Sequence, residues 1–259
     1  MKLSELLDGI EALRGVSDRE IGNVTNDSRK VEKGDLFVCI TGAASDGHDY
    51  AAAALQKGAA AVVCERDLGL ENQVLVADTH RAYGKIAANF YGNPSKKLKL
   101  IGVTGTKGKT TVTSLIKAIL TRTGQKVGLI GTIQNEIGDE ALHTENTTPD
   151  AMELERLYRK MVEAGCEYCV MEVSSHALDQ ERIGDSHYEV AVFTNLSHEH
   201  LDYHKDMESY FAAKKKLFSR CDKAVVNVDD AYGRRIAADC TCPVMTFSLE
   251  EEADLRAFQ

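Results

Sequence analysis

The sequence predicts an α/β protein in which a small N-terminal domain precedes a larger domain with a mostly parallel sheet. Short apolar runs alternate with helical patterns along the whole chain, and these runs are apolar at nearly every position. Such strands are typical of parallel sheets that are covered on both faces. One polar, turn-forming stretch at 93–97 separates two series of elements. We therefore expect domains at 1–97 and 98–259.

The first domain opens with MKLSELLDGIEALRG, which predicts an amphipathic helix rather than a basic-then-apolar signal peptide. An alanine-rich helix that ends at Gly58 is expected next, and a further helix follows the last strand of the domain. The expected helices are 49–58 and 81–91, and the expected strands are 36–40, 59–64 and 74–78.

The second domain restarts with a strand at 98–105, followed by a helix that ends near Gly124. Its apolar residues recur at helical spacing and predict one buried stripe, formed by Val112, Leu115, Ile116, Ile119 and Leu120. A further helix is expected to begin at Thr148, with Pro149 at its first position. The remaining strands are expected at 126–133, 168–174, 189–196, 223–228 and 243–247.

Composition and charge exclude several classes of protein. The net charge of −9 argues against a general nucleic-acid binder, which needs a basic surface. No apolar run approaches the roughly 20 residues that span a bilayer, and we expect a cytoplasmic protein without membrane partners. The seven cysteines follow no regular framework, and reduced thiols fit that location. Cys166 with Cys169, and Cys240 with Cys242, suggest metal or redox chemistry only weakly, because neither pair has a partner pair at zinc spacing.

The segment IGVTGTKGKTT, residues 101–111, resembles a phosphate-binding loop with unusual glycine spacing. Valine occupies position 103, where the general pattern has glycine, and the glycines stand at 102, 105 and 108. The segment joins a strand to a helix, so backbone amides and the helix dipole favour a phosphate. Lys109 would contact the terminal phosphates and Thr110 would offer a hydroxyl to Mg²⁺. The alternative is an ordinary glycine-rich turn.

Two further groups of polar residues follow buried strands. Glu172 lies near the carboxyl end of the apolar strand VMEV, where a carboxylate needs a partner. Magnesium beside the loop would supply one, and a hydrogen-bonded structural glutamate is the alternative. His198, His200 and His204 cluster after the next strand, and the i, i+4 pair of His200 and His204 resembles a zinc pair without an obvious third ligand.

Lys214 falls on the apolar face of a predicted helix at 206–219. That face is formed by Met207, Tyr210, Phe211, Leu217 and Phe218. A lysine at its centre would be desolvated, which lowers the pKa and makes the amine nucleophilic. Such an amine could capture CO₂ as a carbamate and become an oxygen ligand of a metal. The alternative is a buried stem with the ammonium in water.

Four segments together resemble the ATP-dependent Mur ligases of bacterial peptidoglycan synthesis, and among them the branch that adds the third residue of the peptide. These segments are NDSRKVEKGDLFV (26–38) with GAASDGHDY (42–50), GVTGTKGKTT (102–111), ENTTPD (145–150) with MEVSSHALDQERI (171–183), and FTNLSHEHLDYHKDMESYFAAKKKLF (193–218). Ligases of this family share the glycine spacing of the loop. Lys107 departs from the asparagine usual at its position.

The resemblance implies a UDP-sugar-binding domain, then a P-loop ATPase domain, and a reaction. ATP would phosphorylate the carboxylate of UDP-MurNAc-L-Ala-D-Glu, and the amine of L-lysine or meso-diaminopimelate would displace phosphate to form an amide. It implies that ATP is bound by Gly105, Thr106, Lys107, Gly108, Lys109, Thr110 and Thr111. It implies metal ligation by Thr110, Glu172, His200 and a carbamylated Lys214, with Lys109, Lys214, His200 and Glu172 as catalytic residues. Substrate contacts are implied for Ser28, Asn146, Thr147, Thr148, Ser174, Gln180 and Arg182.

The Asp-Asn-Pro-Arg motif with which the family selects its amino acid does not occur in the sequence. We therefore expect an N-terminal portion of such an enzyme, without the C-terminal domain and with little or no ligase activity by itself. Two other functions stay open: a non-catalytic module that binds UDP-sugar and nucleotide, and a P-loop kinase or folylpolyglutamate-type ligase.

Overall fold

The structure is a computed structural model that describes residues 1–14, 17–42 and 45–257. The last residue of the predicted N-terminal helix, two residues of the segment 42–50 and the last two residues of the second predicted domain lie outside these ranges. The chain forms two compact units, one of residues 1–93 with 151–155, the other of 94–150 with 156–259. No helix in the described ranges is long and apolar enough to cross a membrane.

The first unit contains a five-stranded sheet in the order β1-β5-β4-β3-β2, parallel except for the pairing of β1 with β5. Strands β3 to β5 fall where the sequence predicts them, and their residues are almost all buried. The strands are β1 Ala12–Arg14, β2 Val24–Thr25, β3 Leu36–Val38, β4 Ala61–Cys64 and β5 Gln73–Val76, and the helices are α1 Leu3–Leu6, α2 Ala51–Gln56 and α3 Thr79–Phe90.

The predicted amphipathic helix at the N-terminus is wrong. Helix α1 covers only Leu3–Leu6, and Leu3 and Leu6 are its buried residues. Gly9 then adopts a φ of 74°, a left-handed conformation that an α-helix does not contain. Ala12–Arg14 instead pair with β5. The edge of a neighbouring strand, which a local pattern does not reveal, therefore decides the structure of this segment.

The second unit contains a nine-stranded sheet in the order β14-β13-β12-β11-β6-β10-β7-β8-β9. Pairings from β14 to β7 are parallel, and β7-β8-β9 are antiparallel. Its strands are β6 Lys99–Thr104, β7 Val127–Ile130, β8 Asn135–Ile137, β9 Glu140–Leu142, β10 Tyr168–Glu172, β11 Tyr188–Phe193, β12 Cys221–Asn227, β13 Val244–Ser248 and β14 Leu255–Arg256. Its helices are α4 Lys109–Arg122, α6 Ser175–Asp179, α7 Leu201–His204, α8 Met207–Lys215 and α9 Ala231–Asp239, together with α5 Ala151–Glu163, whose first five residues are counted with the first unit. The predicted α/β class with a mostly parallel sheet is confirmed.

The apolar stripe of α4 is not buried as a whole, which corrects the prediction. Ile116 and Leu120 pack against the sheet, but Leu115 and Ile119 are 57% and 63% exposed. The first turn of the helix explains the difference, because Thr110 bonds to Glu172 and Thr113 is buried. The rotation that directs these threonines inward turns Leu115 and Ile119 toward the outside.

Helix α5 begins at Ala151, later than the predicted start at Thr148. The Thr148 hydroxyl donates to the Glu172 carbonyl at 2.8 Å and accepts from the Ser174 amide at 3.0 Å. Thr148 therefore joins the segment before α5 to the end of β10. A threonine before a proline is ambiguous in the sequence, since its hydroxyl can cap a helix or bond to a neighbouring strand.

Candidate functional site

The loop between β6 and α4 lies against the end of β11. The Lys107 amide donates to Asn195 Oδ1 at 3.0 Å, and its carbonyl accepts from Thr194 Oγ1 at 2.7 Å and from Asn195 Nδ2 at 3.0 Å. The Thr106 amide donates to the Asn195 carbonyl at 2.8 Å. These bonds hold the backbone of Lys107, while its side chain is exposed. Thr194 and Asn195 were not predicted from the sequence, although polar residues that directly follow a buried strand are a usable signal.

Gly105 is required by a close approach within this loop. Its φ is 151°, and a Cβ there would lie 1.9 Å from Thr194 Oγ1 and 3.1 Å from the Asn195 amide. Gly108 also has a positive φ, 85°, but nothing lies within 4 Å of its Cβ position. Both glycines adopt a backbone conformation that disfavours a side chain, and Gly105 in addition has no space for one.

We expect Gly105→Ala to destabilise the second unit by about 1–3 kcal/mol more than Gly108→Ala, because overpacking adds to backbone strain only at Gly105. Urea unfolding of the two variants measures the difference. Equal losses of unfolding free energy would mean that the contact with Thr194 does not limit this position. Thr194→Ala in the Gly105→Ala background should restore part of the loss, because it removes the nearest clashing atom.

Two lysine ammonium groups share one backbone oxygen of the loop. Lys109 Nζ donates to the Gly105 carbonyl at 2.9 Å and to the Thr106 carbonyl at 3.0 Å. Lys214 Nζ donates to the same Gly105 carbonyl at 2.8 Å and lies 4.6 Å from the centre of the Tyr210 ring. The structure thus places Lys214 on the buried face of α8, as the periodicity predicts, and only 1% of it is exposed. Lys215 is directed outward, where it pairs with Asp239.

The environment favours the neutral amine of Lys214. Burial lowers its pKa well below the ordinary 10.5, and the nearby charge of Lys109 lowers it further. Burial also lowers the pKa of Lys109. The charge of Glu199 opposes the lowering of the Lys214 pKa without reversing it. A buried amine that is readily deprotonated can act as a nucleophile.

The lowered pKa makes stability depend on pH. The folded protein holds the Lys214 proton more weakly than the unfolded chain, so stability rises with pH from the folded pKa up to 10.5. Lys214→Met removes this titration. We therefore expect the free energy of unfolding of the variant, relative to that of wild type, to be highest at low pH. The difference should become smaller as the pH approaches 10.5.

Chemical unfolding at a series of pH values, in buffer free of CO₂, measures this dependence. Lys215→Met is the matched control, since it removes a half-exposed lysine from the next position of α8. Parallel pH profiles for the two variants would contradict the effect of burial on Lys214.

Glu172 ends β10 with its carboxylate 1% exposed and surrounded by hydroxyl and amide donors. Its Oε1 accepts from Thr110 Oγ1 at 3.0 Å and from the Thr132 amide at 2.9 Å, and its Oε2 accepts from Thr132 Oγ1 at 3.1 Å. Thr132 Oγ1 also lies 3.0 Å from Thr147 Oγ1. Thr132 follows β7 and was missed in the sequence, where no pattern distinguishes it from other loop threonines.

The donor set beside the loop suits a hard cation. The described residues hold no cluster of three or more histidine, cysteine or acidic side chains that could bind a metal alone. Magnesium needs no such cluster, because it takes one or two carboxylates together with phosphate and water oxygens. Thr110 and Glu172 fit that pattern, since their oxygens meet at the start of α4.

His200 lies in a separate aromatic group and makes no described hydrogen bond to Glu172 or Thr110. It adopts a φ of 57° before α7, and its ring is 5.1 Å from that of His176 and 6.2 Å from that of Tyr210. His204 is buried and bonds to Ser175 Oγ at 2.9 Å. The histidines of the suggested zinc pair thus both contact the rings of His176 and Tyr210, but only His204 is buried. Tyr210 connects this group to the loop through its hydroxyl, 3.3 Å from Thr106 Oγ1.

The remaining predicted substrate residues of the second unit lie around the end of β10. Arg182 donates to Gln180 Oε1 from Nε at 3.0 Å and from Nη2 at 2.7 Å, and to the Thr148 carbonyl at 3.2 Å. Gln180 in turn donates to the Tyr203 hydroxyl at 3.1 Å. Ser174 begins α6 as its N-cap, and Asn146 is exposed. The structure therefore connects Arg182, Gln180, Thr148 and Ser174, but not Asn146.

Ser28 lies in the first unit, beside a cavity of about 480 Å³. The cavity is lined by Asn26, Asp27, Ser28, Arg29, Phe37, Ile40, Ser45, Gly47 and Tyr50. The side-chain hydrogen bonds of Arg29 lower the pKa of Asp27 to about 2, so its carboxylate stays charged. A polar rim with two aromatic rings suits a small polar ligand that contains a planar ring.

Residues 103–259 match the model of the Mur ligase middle domain. The chain belongs to the Mur ligase family. A second family model, the catalytic domain of the Mur ligase family, matches residues 20–91. The loop, Glu172 and Lys214 therefore fall within the Mur ligase middle domain, and Ser28 falls within the second match.

Similar proteins include ligases of this family from clostridia and listeriae. The UDP-N-acetylmuramoyl-L-alanyl-D-glutamate--2,6-diaminopimelate ligase of Clostridium perfringens is 43% identical over 100% of the chain and 56% of its own length. The Listeria monocytogenes ligase of the same name is 45% identical over 99% of the chain and 55% of its own. The chain thus spans about half the length of the curated relatives it matches.

Solved structures of Mur ligases have the same fold. One of a UDP-N-acetylmuramoyl-L-alanyl-D-glutamate--2,6-diaminopimelate ligase is 31% identical, with a TM-score of 0.78 over 91% of this chain and 50% of that one. MurF from Acinetobacter baumannii matches with a TM-score of 0.64 at 22% identity, covering 99% of this chain and 55% of that one, and this likeness shows the fold alone.

Proposed function

We propose that this chain supplies the UDP-sugar-binding and ATP-binding parts of an amide ligase of peptidoglycan precursor synthesis, UDP-N-acetylmuramoyl-tripeptide synthetase (MurE). Its reaction would join a diamino acid to UDP-MurNAc-L-Ala-D-Glu through an acyl phosphate. The similar ligases of Clostridium perfringens and Listeria monocytogenes are diaminopimelate ligases by name, which favours diaminopimelate over L-lysine. We propose a cytoplasmic location, where both ATP and the UDP-sugar are found.

One observation carries the proposal: the buried Lys214 and the half-buried Lys109 meet at the Gly105 carbonyl, beside the Thr110–Glu172 pair. Phosphorylation of a carboxylate by ATP brings the carboxylate and the γ-phosphate together, and the repulsion between these two anions requires cationic groups beside them. A glycine-rich turn with a structural role alone would not need two lysines directed at one carbonyl. Among the functions that the sequence left open, a folylpolyglutamate-type ligase is disfavoured by the segments DSR (27–29) and HLDYH (200–204), which favour a muramoyl substrate over folate.

Lys109 would exchange its carbonyl partners for phosphate oxygens, since its ammonium already lies at the loop. Thr110 and Glu172 would hold Mg²⁺, which when bound neutralises charge on the phosphates. The loop amides of 105–111 would bind the remaining phosphate oxygens at the start of α4. Lys107, whose backbone is held by Thr194 and Asn195, would place its exposed side chain beside them.

Lys214 would act as a carbamate. Its neutral amine nitrogen attacks the carbon of CO₂, a C–N bond forms, one C=O electron pair moves to oxygen, and a nitrogen proton leaves to solvent. The carbamate carries a negative charge and would offer its oxygens to a metal, which an ammonium group cannot do. We propose His200 as a further ligand of the same metal. Burial of the amine supports this role, because only the uncharged form can react.

Substrate contacts are proposed for both units. In the second, Arg182 and Gln180 would bind the anionic muramoyl-peptide part together with Ser174, Asn146 and Thr147. Thr148 would act by positioning Ser174, because its hydroxyl already bonds to the Ser174 amide. In the first, Ser28 would contact the uridine nucleotide at the cavity that it lines.

The test is ADP release by the protein expressed from its whole reading frame. Release that requires both UDP-MurNAc-L-Ala-D-Glu and diaminopimelate would support the ligase. Binding of the UDP-sugar without ADP release would favour the non-catalytic module. ADP release with folate or another acceptor would favour a P-loop kinase or a folylpolyglutamate-type ligase. The 259-residue chain alone should release little or no ADP, since the Asp-Asn-Pro-Arg motif is not in it.

A further inference from the structure

Three cysteines converge at the edge of the second sheet opposite to the candidate site. Cys221 begins β12, Cys240 directly follows α9, and Cys242 lies two residues before β13. Strands β12 and β13 are parallel neighbours, so α9 carries the chain from the carboxyl end of one back to the amino end of the other. The phosphate loop and Glu172 lie at the carboxyl ends of their strands. The thiols are therefore distinct from that site.

The sulfur of Cys242 lies between the other two. It is 3.2 Å from Cys240 Sγ and 3.6 Å from Cys221 Sγ. Cys221 is buried, whereas Cys240 and Cys242 are half-buried. Cys240 also lines a cavity of about 320 Å³ with Lys215, Lys216 and Asp239, which gives a small reagent a route to the cluster. The other four cysteines, Cys39, Cys64, Cys166 and Cys169, are buried.

The surroundings assign different roles to the three thiols. Burial raises the pKa of Cys221 to about 12, and burial likewise raises the pKa of Cys240. In both cases the hydrogen bond to the Cys242 sulfur adds to the rise. These two thiols therefore keep their protons, and each can donate its S–H bond to Cys242 or to the Phe218 carbonyl. Cys242 is the half-exposed sulfur that contacts both of the others, so a reagent that reaches it finds a second thiol within bonding reach.

We propose that Cys240 and Cys242 form a reversible disulfide when the protein meets hydrogen peroxide, with Cys242 as the attacking sulfur. Two adjacent, half-exposed thiols, one of which can attack a sulfenic acid formed on the other, share this arrangement with redox-sensing sites. In a reducing compartment such a bond would be transient, and exposed disulfides are the readily reduced ones. Nothing in the proposed ligase chemistry uses these thiols.

The oxidation balances without another co-reactant. The Cys242 thiolate attacks one peroxide oxygen, so an S–O bond forms, the O–O bond breaks, and the released hydroxide takes up the proton that Cys242 lost. The Cys240 sulfur then attacks the sulfenic sulfur, an S–S bond forms, the S–O bond breaks, and hydroxide leaves with the Cys240 proton as water. Two thiols and one peroxide thus give one disulfide and two waters, and peroxide accepts the two electrons.

Peroxide titration of the chain in buffer without thiols tests the proposal. Cys240 and Cys242 lie in one tryptic peptide, 236–256, which allows a direct reading by mass. We expect this peptide to lose the mass of two hydrogen atoms, to resist alkylation, and to recover both thiols after dithiothreitol. Cys240→Ser and Cys242→Ser should each abolish the change. Uptake of oxygen atoms without a cross-link, or a disulfide that includes Cys221, would overturn the proposal.

Variants of Cys221 test its role as a hydrogen-bond donor. Cys221→Ala removes the donor and should slow the loss of the Cys242 thiol by about fivefold to tenfold, the value of one hydrogen bond of about 1–1.4 kcal/mol. Cys221→Ser keeps a donor and should react at nearly the wild-type rate. Cys166→Ser, at a cysteine outside the cluster, is the control for general loosening of the fold. Equal rates for Cys221→Ala and wild type would show that Cys242 needs no donor from this position.

Discussion

Replacing Lys214 by alanine should lower kcat/KM for ligation by a factor of at least about 10²–10³ in the protein from the whole reading frame. This is the usual cost of removing one preorganised group that stabilises charge in a transition state. The side chain is buried beside the loop and bonds to the Gly105 carbonyl, so no exposed lysine can replace it. Excess bicarbonate should not restore the rate, because the variant has no amine at this position to carbamylate.

Lys215→Ala is the matched control for this experiment. It removes the same functional group one position later on α8, where the ammonium pairs with Asp239 at 2.7 Å, and its kcat/KM should stay near the wild-type value. Isotope-labelled CO₂ gives a readout besides activity: wild type should show a carbamate signal in NMR that Lys214→Ala lacks. A Lys214→Ala enzyme that turns over at the wild-type rate would remove this lysine from the mechanism.

Replacing Glu172 by glutamine should raise the Mg²⁺ concentration needed for half-maximal activity at least tenfold and lower kcat/KM by about 10²–10³. Glutamine keeps the shape and can keep the hydrogen bonds, since its oxygen can accept from Thr110 and its amide can donate to Thr132 Oγ1. The free energy of unfolding should therefore change by less than about 1 kcal/mol. A loss of activity with unchanged stability would assign the effect to the charge.

Glu136→Gln provides the comparison in the same unit. Glu136 lies on β8 and pairs with Lys117 of α4, so the variant also removes one partly buried carboxylate charge. Its Mg²⁺ requirement should match that of wild type. An equal shift in the two variants would mean that the general charge of the domain, rather than Glu172, sets the metal dependence.

The burial of Lys214 was predictable because it depends on one helix only. Five apolar residues of the α8 segment define its buried side, and Lys214 lies among them at helical spacing. The identity of β10 and the position of Glu172 at its end were predictable for a similar reason, since a parallel strand that is covered on both faces is apolar throughout. Local periodicity thus predicted burial correctly where a single helix or strand determines the surroundings of the residue.

Properties that depend on a neighbour were not predictable in this way. The orientation of α4 follows from the bond between Thr110 and Glu172, which lie 62 positions apart, and the stripe prediction failed at Leu115 and Ile119. The antiparallel strands β8 and β9 are three residues each and too short for a periodic signal. The sequence indicated the pair Cys240 and Cys242 but not Cys221, which comes close to them only through the pairing of β12 with β13.

The two bonds that Lys109 makes to loop carbonyls bear on the thermodynamics of ligand capture. A free lysine side chain has about 2 kcal/mol of rotamer entropy, and a ligand that immobilises it must offset that loss. In this loop the Gly105 and Thr106 carbonyls already hold the ammonium before any nucleotide arrives. Folding has therefore ordered the side chain in advance, and an incoming phosphate replaces one set of oxygen acceptors with another at little further cost in disorder.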